Sequence, residues 1–181
     1  MEPRLRALVR SKPGLIVLTG GQTGVDTYAA IKALQAGLSV HLVFPAGYRQ
    51  EDGELTAARR RQLGGAVLHE LSSASFQHRT WTCAYLADVV VLLDPAGGTG
   101  CAQTIRAARK LGRPLLRPAP GELRAHDAAD WLAATRARVL MVAGCRESLL
   151  ASQGKEGDVR SNLAALMVGA RRQHDRLVEL G

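Results

Sequence analysis

Apolar positions along the chain fall into short continuous runs, at residues 15–19, 39–44, 66–71, 89–93, 114–117 and 139–142. Glycine, proline or capping residues close most of them, the mark of strands buried on both faces. Between and after the runs the apolar spacing turns helical, predicting helices over 25–36, 54–63, 76–86, 101–111, 126–134 and 158–179. Residues 1–14 read as a basic lead-in ended by Pro13-Gly14, while 48–53 and 149–157 read as polar loops. Strands that alternate with helices and are apolar throughout imply a parallel sheet covered on both sides. The expected fold is α/β: a doubly wound, Rossmann-like three-layer sandwich with a mainly parallel sheet of about six or seven strands. The run at 89–93 is the most apolar and is expected at the sheet centre. No linker, repeat or low-complexity tract divides the chain, so residues 1–181 are expected to form one domain.

In such a sheet a ligand sits beyond the carboxyl ends of the strands. The segments expected there are 20–26, 45–53, 72–79, 94–100 and 144–148. Two of them are glycine loops, each between a strand and a helix. The first holds Gly20, Gly21, Gln22, Thr23 and Gly24, with Asp26 just inside the next helix; the second holds Gly97, Gly98, Thr99 and Gly100. Glycine permits the turn and lets a ligand approach the backbone, and a helix N-terminus offers unpaired N–H groups to an anion. Neither loop has the dinucleotide fingerprint or the P-loop lysine. If the first and fourth strands are neighbours, the loops face each other across one crevice. A side chain placed at Gly21 is then expected to block the anion and spare the fold. Arg49, Arg79 and Arg146 are the cationic candidates, because a guanidinium fork matches phosphate geometry. The more common outcome for Arg49 and Arg79 is a surface arginine and for Arg146 an ion pair with Glu147, while Asp26 reads equally well as a favourable charge at a helix start.

Composition narrows the picture. Apolar residues make up 46% and aromatics 4%, so the core must be aliphatic. No apolar stretch is long enough to span a membrane, and the N-terminus lacks a signal-like apolar segment. The net charge of +8 is mostly arginine. Arg59-Arg60-Arg61 and Arg171-Arg172 lie on predicted helices with no interleaved aromatics to stack on bases, so the charge reads as a solvated surface rather than a nucleic-acid site. Cys83, Cys101 and Cys145 are odd in number and widely spaced, which argues against a disulfide framework or a zinc site and fits reduced cytoplasmic thiols. The five histidines lack metal-ligand spacing, and no catalytic set of residues stands out.

Taken together, Gly20-Gly21-Gln22-Thr23-Gly24-Val25-Asp26, Pro45-Ala46-Gly47-Tyr48-Arg49 with Glu51-Asp52-Gly53, Arg79-Thr80, Gly97-Gly98-Thr99, and Val142-Ala143-Gly144 with Arg146-Glu147-Ser148 resemble the putative molybdenum carrier family. That family stands with the lysine-decarboxylase-like, or "lonely guy", nucleotide-binding proteins. The resemblance runs from about residue 15 to 170. It implies a Rossmann-like homo-oligomer whose glycine loops hold a phosphorylated ligand, either molybdenum cofactor, a pterin with a terminal phosphate, or a nucleotide. The chain departs from the family at Thr27, where arginine is more frequent, at Trp81, where an acidic residue is usual, and at Cys145, where proline is common. The related phosphoribohydrolases carry a loop glutamate that aligns with Thr104 here, preceded by Gln103. Neither neutral side chain can carry the charge that N-glycosidic cleavage requires. Glu51, Asp52 and Asp94 are the carboxylates available to replace it.

The expected function is therefore that of a cytoplasmic, non-membrane binding protein for a phosphorylated small molecule, a molybdenum-cofactor carrier or a nucleotide sensor, without a catalytic residue or a protein-bound metal of its own. The alternatives are a nucleoside-monophosphate phosphoribohydrolase-like enzyme and a DNA-associated protein of the same superfamily.

Overall fold

The computed structural model describes residues 3–180. In chain order the elements are α1 (Pro3–Val9), β1 (Ile16–Thr19), α2 (Val25–Gln35), β2 (Ser39–Phe44), β3 (Arg49–Gln50), β4 (Gly53–Glu54), α3 (Ala57–Gln62), β5 (Val67–Glu70), α4 (Phe76–Leu86) and β6 (Val89–Leu93), followed by α5 (Thr99–Lys110), β7 (Leu115–Leu116), α6 (Ala125–Ala134), β8 (Val139–Gly144), α7 (Glu147–Ser152) and α8 (Glu156–Glu179).

Six strands form one sheet in the order β5-β2-β1-β8-β6-β7, and every pairing in it is parallel. Helix α8 packs against both α2 and α6, and α4 packs against α5, so two helical groups flank the sheet. The aliphatic strands interlock the layers: Val17, Leu42, Val91, Leu140 and Val142 are fully buried. The bare Cα of Gly169 lets α8 press against α6, since a Cβ there would meet that of Ala128 at 2.7 Å. The α/β, doubly wound, Rossmann-like arrangement is as the alternation of the sequence implies. Among the described residues no helix is long and apolar enough to cross a membrane.

The order within the sheet differs from expectation. β1 and β6 are not neighbours, because β8 lies between them, pairing Leu18 with Met141 on one side and Val91 with Val142 on the other. β6 is entirely buried yet stands one strand from the edge, beside β7. Apolar runs of similar quality compete for the centre, and strand order is settled by crossover connections rather than by apolarity.

Local departures have local causes. The polar segment around Tyr48–Gly53 closes a two-stranded hairpin, pairing Arg49 with Glu54 and Gln50 with Gly53. The helix expected from residue 54 begins only at Ala57, where the Thr56 hydroxyl caps it by accepting from the Arg59 amide at 3.2 Å. The expected loop at 149–157 holds most of α7 and the first residues of α8. Leu150 is fully buried there, and that apolar anchor orders an otherwise polar stretch.

Candidate functional site

The chain leaves β1 through Gly20 and Gly21 and enters α2 at Val25. Most amides of this loop are already engaged. Gly21 N–H donates to Thr19 Oγ1 (3.3 Å), Gln22 N–H to Asp26 Oδ2 (3.2 Å), Thr23 N–H to its neighbour Gln22 Oε1 (3.1 Å) and Val25 N–H to the Cys145 carbonyl (3.1 Å). With four donors satisfied internally, the loop offers a ligand chiefly the side chains of Gln22 and Asp26.

The second loop is built differently. β6 runs into Asp94, whose carbonyl accepts from Gly97 N–H (3.0 Å) and whose carboxylate is held by Arg117 (2.6 Å). Gly98 is the N-cap of α5, with φ +123°, and has no side chain to satisfy the first turn. The N-terminus of this 12-residue helix is therefore uncapped by any side chain. Its positive dipole end and its amides belong to Thr99, Gly100 and Cys101.

The two loops border one cavity of about 240 Å³, whose wall includes Gln22, Asp26, Arg79, Thr99, Gly100 and Arg146. It lies beyond the carboxyl ends of β1, β8 and β6, so the intervening strand does not separate the loops. Arg79, on α4, reaches Asp26 with Nη1 to Oδ2 at 3.1 Å. Its Nε is buried and has no partner. Burial pushes the Asp26 carboxyl above its ordinary pKa, although Arg79 and the amides of Gln22 and Gly20 oppose that shift.

Glu51, at the tip of the β3–β4 hairpin, also faces the cavity. It accepts from the Thr23 hydroxyl, from Ser148 Oγ (2.7 Å) and from Ser148 N–H (3.3 Å), with Arg146 Nε at 3.7 Å. Burial alone would raise its pKa; these donors and the arginine outweigh it and hold the carboxyl below its ordinary value. The hairpin is fastened to the first loop, since Glu51 N–H donates to Gln22 Oε1 (2.7 Å) and Gln50 Nε2 to the Gly21 carbonyl (2.7 Å). Glu51 is thus a fixed, ionised carboxylate.

Of the residues singled out in the sequence, Gln22, Asp26, Arg79, Thr99, Gly100 and Arg146 come together on the cavity wall. Gly20, Gly21, Thr23, Gly24, Gly97 and Gly98 shape the turns behind it. Arg49 stands outside, its guanidinium over the Phe76 ring at 5.7 Å. Phe76, Gln103 and Thr104 line the cavity without having been singled out as binding residues. Gln103 and Thr104 follow Thr99 and Gly100 by four residues, so helical periodicity is the signal that points to them. Phe76 opens α4 and has no comparable signal. Among the described residues no group of three or more side chains could hold a metal ion.

Comparison with known proteins adds a lineage. The family model described as the circularly permutated YpsA SLOG family matches residues 17–166. Among curated proteins none matches. The chain is similar to a crystal structure named putative molybdenum carrier protein, from Syntrophus aciditrophicus SB, with 22% identity and a TM-score of 0.69 over 86% of this chain and 96% of that one. That likeness concerns the fold. Looser likenesses are to AtPrR2 in its apo form, with 14% identity and a TM-score of 0.40 over 74% of this chain and 49% of that one. E. coli tRNA N6-threonylcarbamoyladenosine dehydratase in complex with AMP follows, with 12% identity and a TM-score of 0.36 over 98% and 92%.

Proposed function

The chain belongs to the circularly permutated YpsA SLOG family, and from that premise we propose that it is a binding protein for a phosphorylated small molecule. The observation that carries the reading is the uncapped N-terminus of α5, which brings Thr99 and Gly100 to the cavity wall. A helix start of this kind favours an anion. Arg146 adds a cationic fork at the same rim, and Arg79 brings a buried Nε with no protein partner. Asp26, Gln22 and Glu51 lie on the same wall and suit hydroxyl or amino groups of the ligand's body. A volume of about 240 Å³ is just below the ~300–1,000 Å³ usual for small-molecule sites. It suits a phosphate and the adjoining ring, with the remainder reaching past Phe76. Molybdenum cofactor, carried as cargo, and a nucleotide both have this shape. The reading takes the chain as one cytoplasmic domain that assembles with its own copies.

Carriage rather than turnover is supported by Thr104, which is neutral and whose hydroxyl donates to the Gly100 carbonyl at 3.1 Å. A second reading rests on Glu51, the ionised carboxylate that also lines the cavity, which suits a phosphoribohydrolase-like reaction at the same site. Native mass spectrometry of protein purified from its own cells should find a retained pterin phosphate or nucleotide. In thermal unfolding, a nucleoside monophosphate should raise Tm while the matched nucleoside does not. Equal shifts, or none from either, would end the anion reading. Release of free base with turnover would move the assignment to the second.

A further inference from the structure

Two of the three cysteines meet beside the cavity. Cys101 lies in the first turn of α5 and Cys145 directly follows β8; their Sγ atoms are 3.9 Å apart. Both residues are nearly sealed, at 4% and 2% exposed. Cys145 Sγ also lies 3.2 Å from the Gly97 carbonyl, so the pair joins the turn after β6, the start of α5 and the turn after β8. The chain neighbours Gly100, Gly144 and Arg146 all line the cavity, so each cysteine stands one residue along the chain from its wall. Cys83 stands apart, set against the Thr19 carbonyl at 3.8 Å, where burial pushes its thiol up to about 12.

From this juxtaposition we propose that Cys101 and Cys145 are a peroxide-oxidisable dithiol that closes to a disulfide at the rim of the cavity. The Cys145 thiolate attacks one oxygen of a hydroperoxide. The O–O bond breaks, the other oxygen leaves and takes a proton as an alcohol or water, and Cys145 becomes a sulfenic acid. The Cys101 sulfur then attacks the Cys145 sulfur. The S–S bond forms, and hydroxide departs with the Cys101 proton as water. The two thiols lose two protons and two electrons, and the peroxide takes them up. Either sulfur could donate across the contact. With the Cys145 thiol directed at the Gly97 carbonyl, Cys101 is the donor, a contact that lowers the pKa of the Cys145 thiol to about 7 and drives that of Cys101 up, so the first attack falls to Cys145. Bonding needs the sulfurs to close to about 2.05 Å, a movement on the scale of side-chain rotation when the thiols start in contact. The resulting link ties the helix start to the turn after β8, two of the walls of the cavity. The inference does not rest on the anion reading and stands or falls separately.

The test treats the full-length protein with hydrogen peroxide, then denatures it and alkylates its free thiols. Untreated protein should take three adducts, one for each free cysteine. Oxidised protein should take one, on Cys83, with a mass lower by two hydrogens and a cross-linked peptide joining Cys101 to Cys145. Dithiothreitol should restore all three. Cys101→Ser should leave a sulfenic acid on Cys145 that a cyclic diketone traps, and Cys145→Ser should abolish the reaction. Three adducts after peroxide, or over-oxidised Cys145 with no cross-link, would overturn the proposal. The wild-type peptide map decides the matter even if a variant fails to fold.

Discussion

Arg79 and Asp26 form an ion pair inside the protein, Nη1 to Oδ2 at 3.1 Å, with side chains only 9% and 5% exposed. The guanidinium lies on the bare Cα of Gly20, where a Cβ would fall 1.3 Å from Nη1. The pair ties α4 to the first glycine loop, and the same Asp26 carboxylate holds the Gln22 amide at 3.2 Å. Arg79 is therefore a structural residue as well as a candidate ligand contact.

Removing one member of a buried pair leaves the other charge uncompensated. Arg79→Ala should lower stability by about 3–5 kcal/mol, measured by urea unfolding. The double change with Asp26→Ala should cost less than the sum of the single changes. Additive losses would mean that the two side chains are not coupled.

Gly21→Val should damage the fold, contrary to the expectation from sequence that it would only block an anion. Gly21 has φ +68°, and its Cβ would meet the Phe44 ring at 2.5 Å. Strain from the positive φ and overpacking together amount to about 3–5 kcal/mol. Circular dichroism melting should show a large fall in Tm; a wild-type melt would contradict the tight contact.

Arg146→Ala should separate binding from stability. Its side chain is 55% exposed and its Nε is 3.7 Å from Glu51, so unfolding should change little. Affinity for a nucleoside monophosphate should fall roughly tenfold, about 1.5 kcal/mol, as expected for a charge-assisted hydrogen bond. Calorimetric titration of the variant and wild type decides this; unchanged affinity would place Arg146 outside the binding surface.

His41 should make the protein acid-sensitive. It is buried on β2, with its Nδ1 2.9 Å from His69 Nε2. Burial first, then the neighbouring His69 and Lys12, bring its pKa from 6.5 down to about 4. The folded state disfavours the imidazolium, so the unfolded chain binds more protons between these values. The contribution is present above pH 6.5 and is lost as pH falls through about 4. At most about 3 kcal/mol is involved. Urea midpoints across this range should fall with acidification, and His41→Gln should flatten the slope. An equal slope in the variant would assign the acid sensitivity to other groups.

The α/β architecture and the strands of the sheet were legible in the pattern of the chain. Continuous aliphatic runs such as Val89–Leu93 have no polar face to expose, and helical spacing between them leaves a covered parallel sheet as the consistent solution. The glycine loops were legible for the same local reason: each closes a strand and opens a helix. What those loops offer a ligand depended on long-range contacts. Similar glycine loops ended with opposite accessibility, because Thr19, Gln22, Asp26 and Cys145 supply acceptors to the first while no side chain caps the second. Strand order, the Arg79–Asp26 pairing and the meeting of Cys101 with Cys145 also waited on the fold. Each depends on contacts between residues far apart in the chain, and periodicity reports a residue's face but not the partner it will find there.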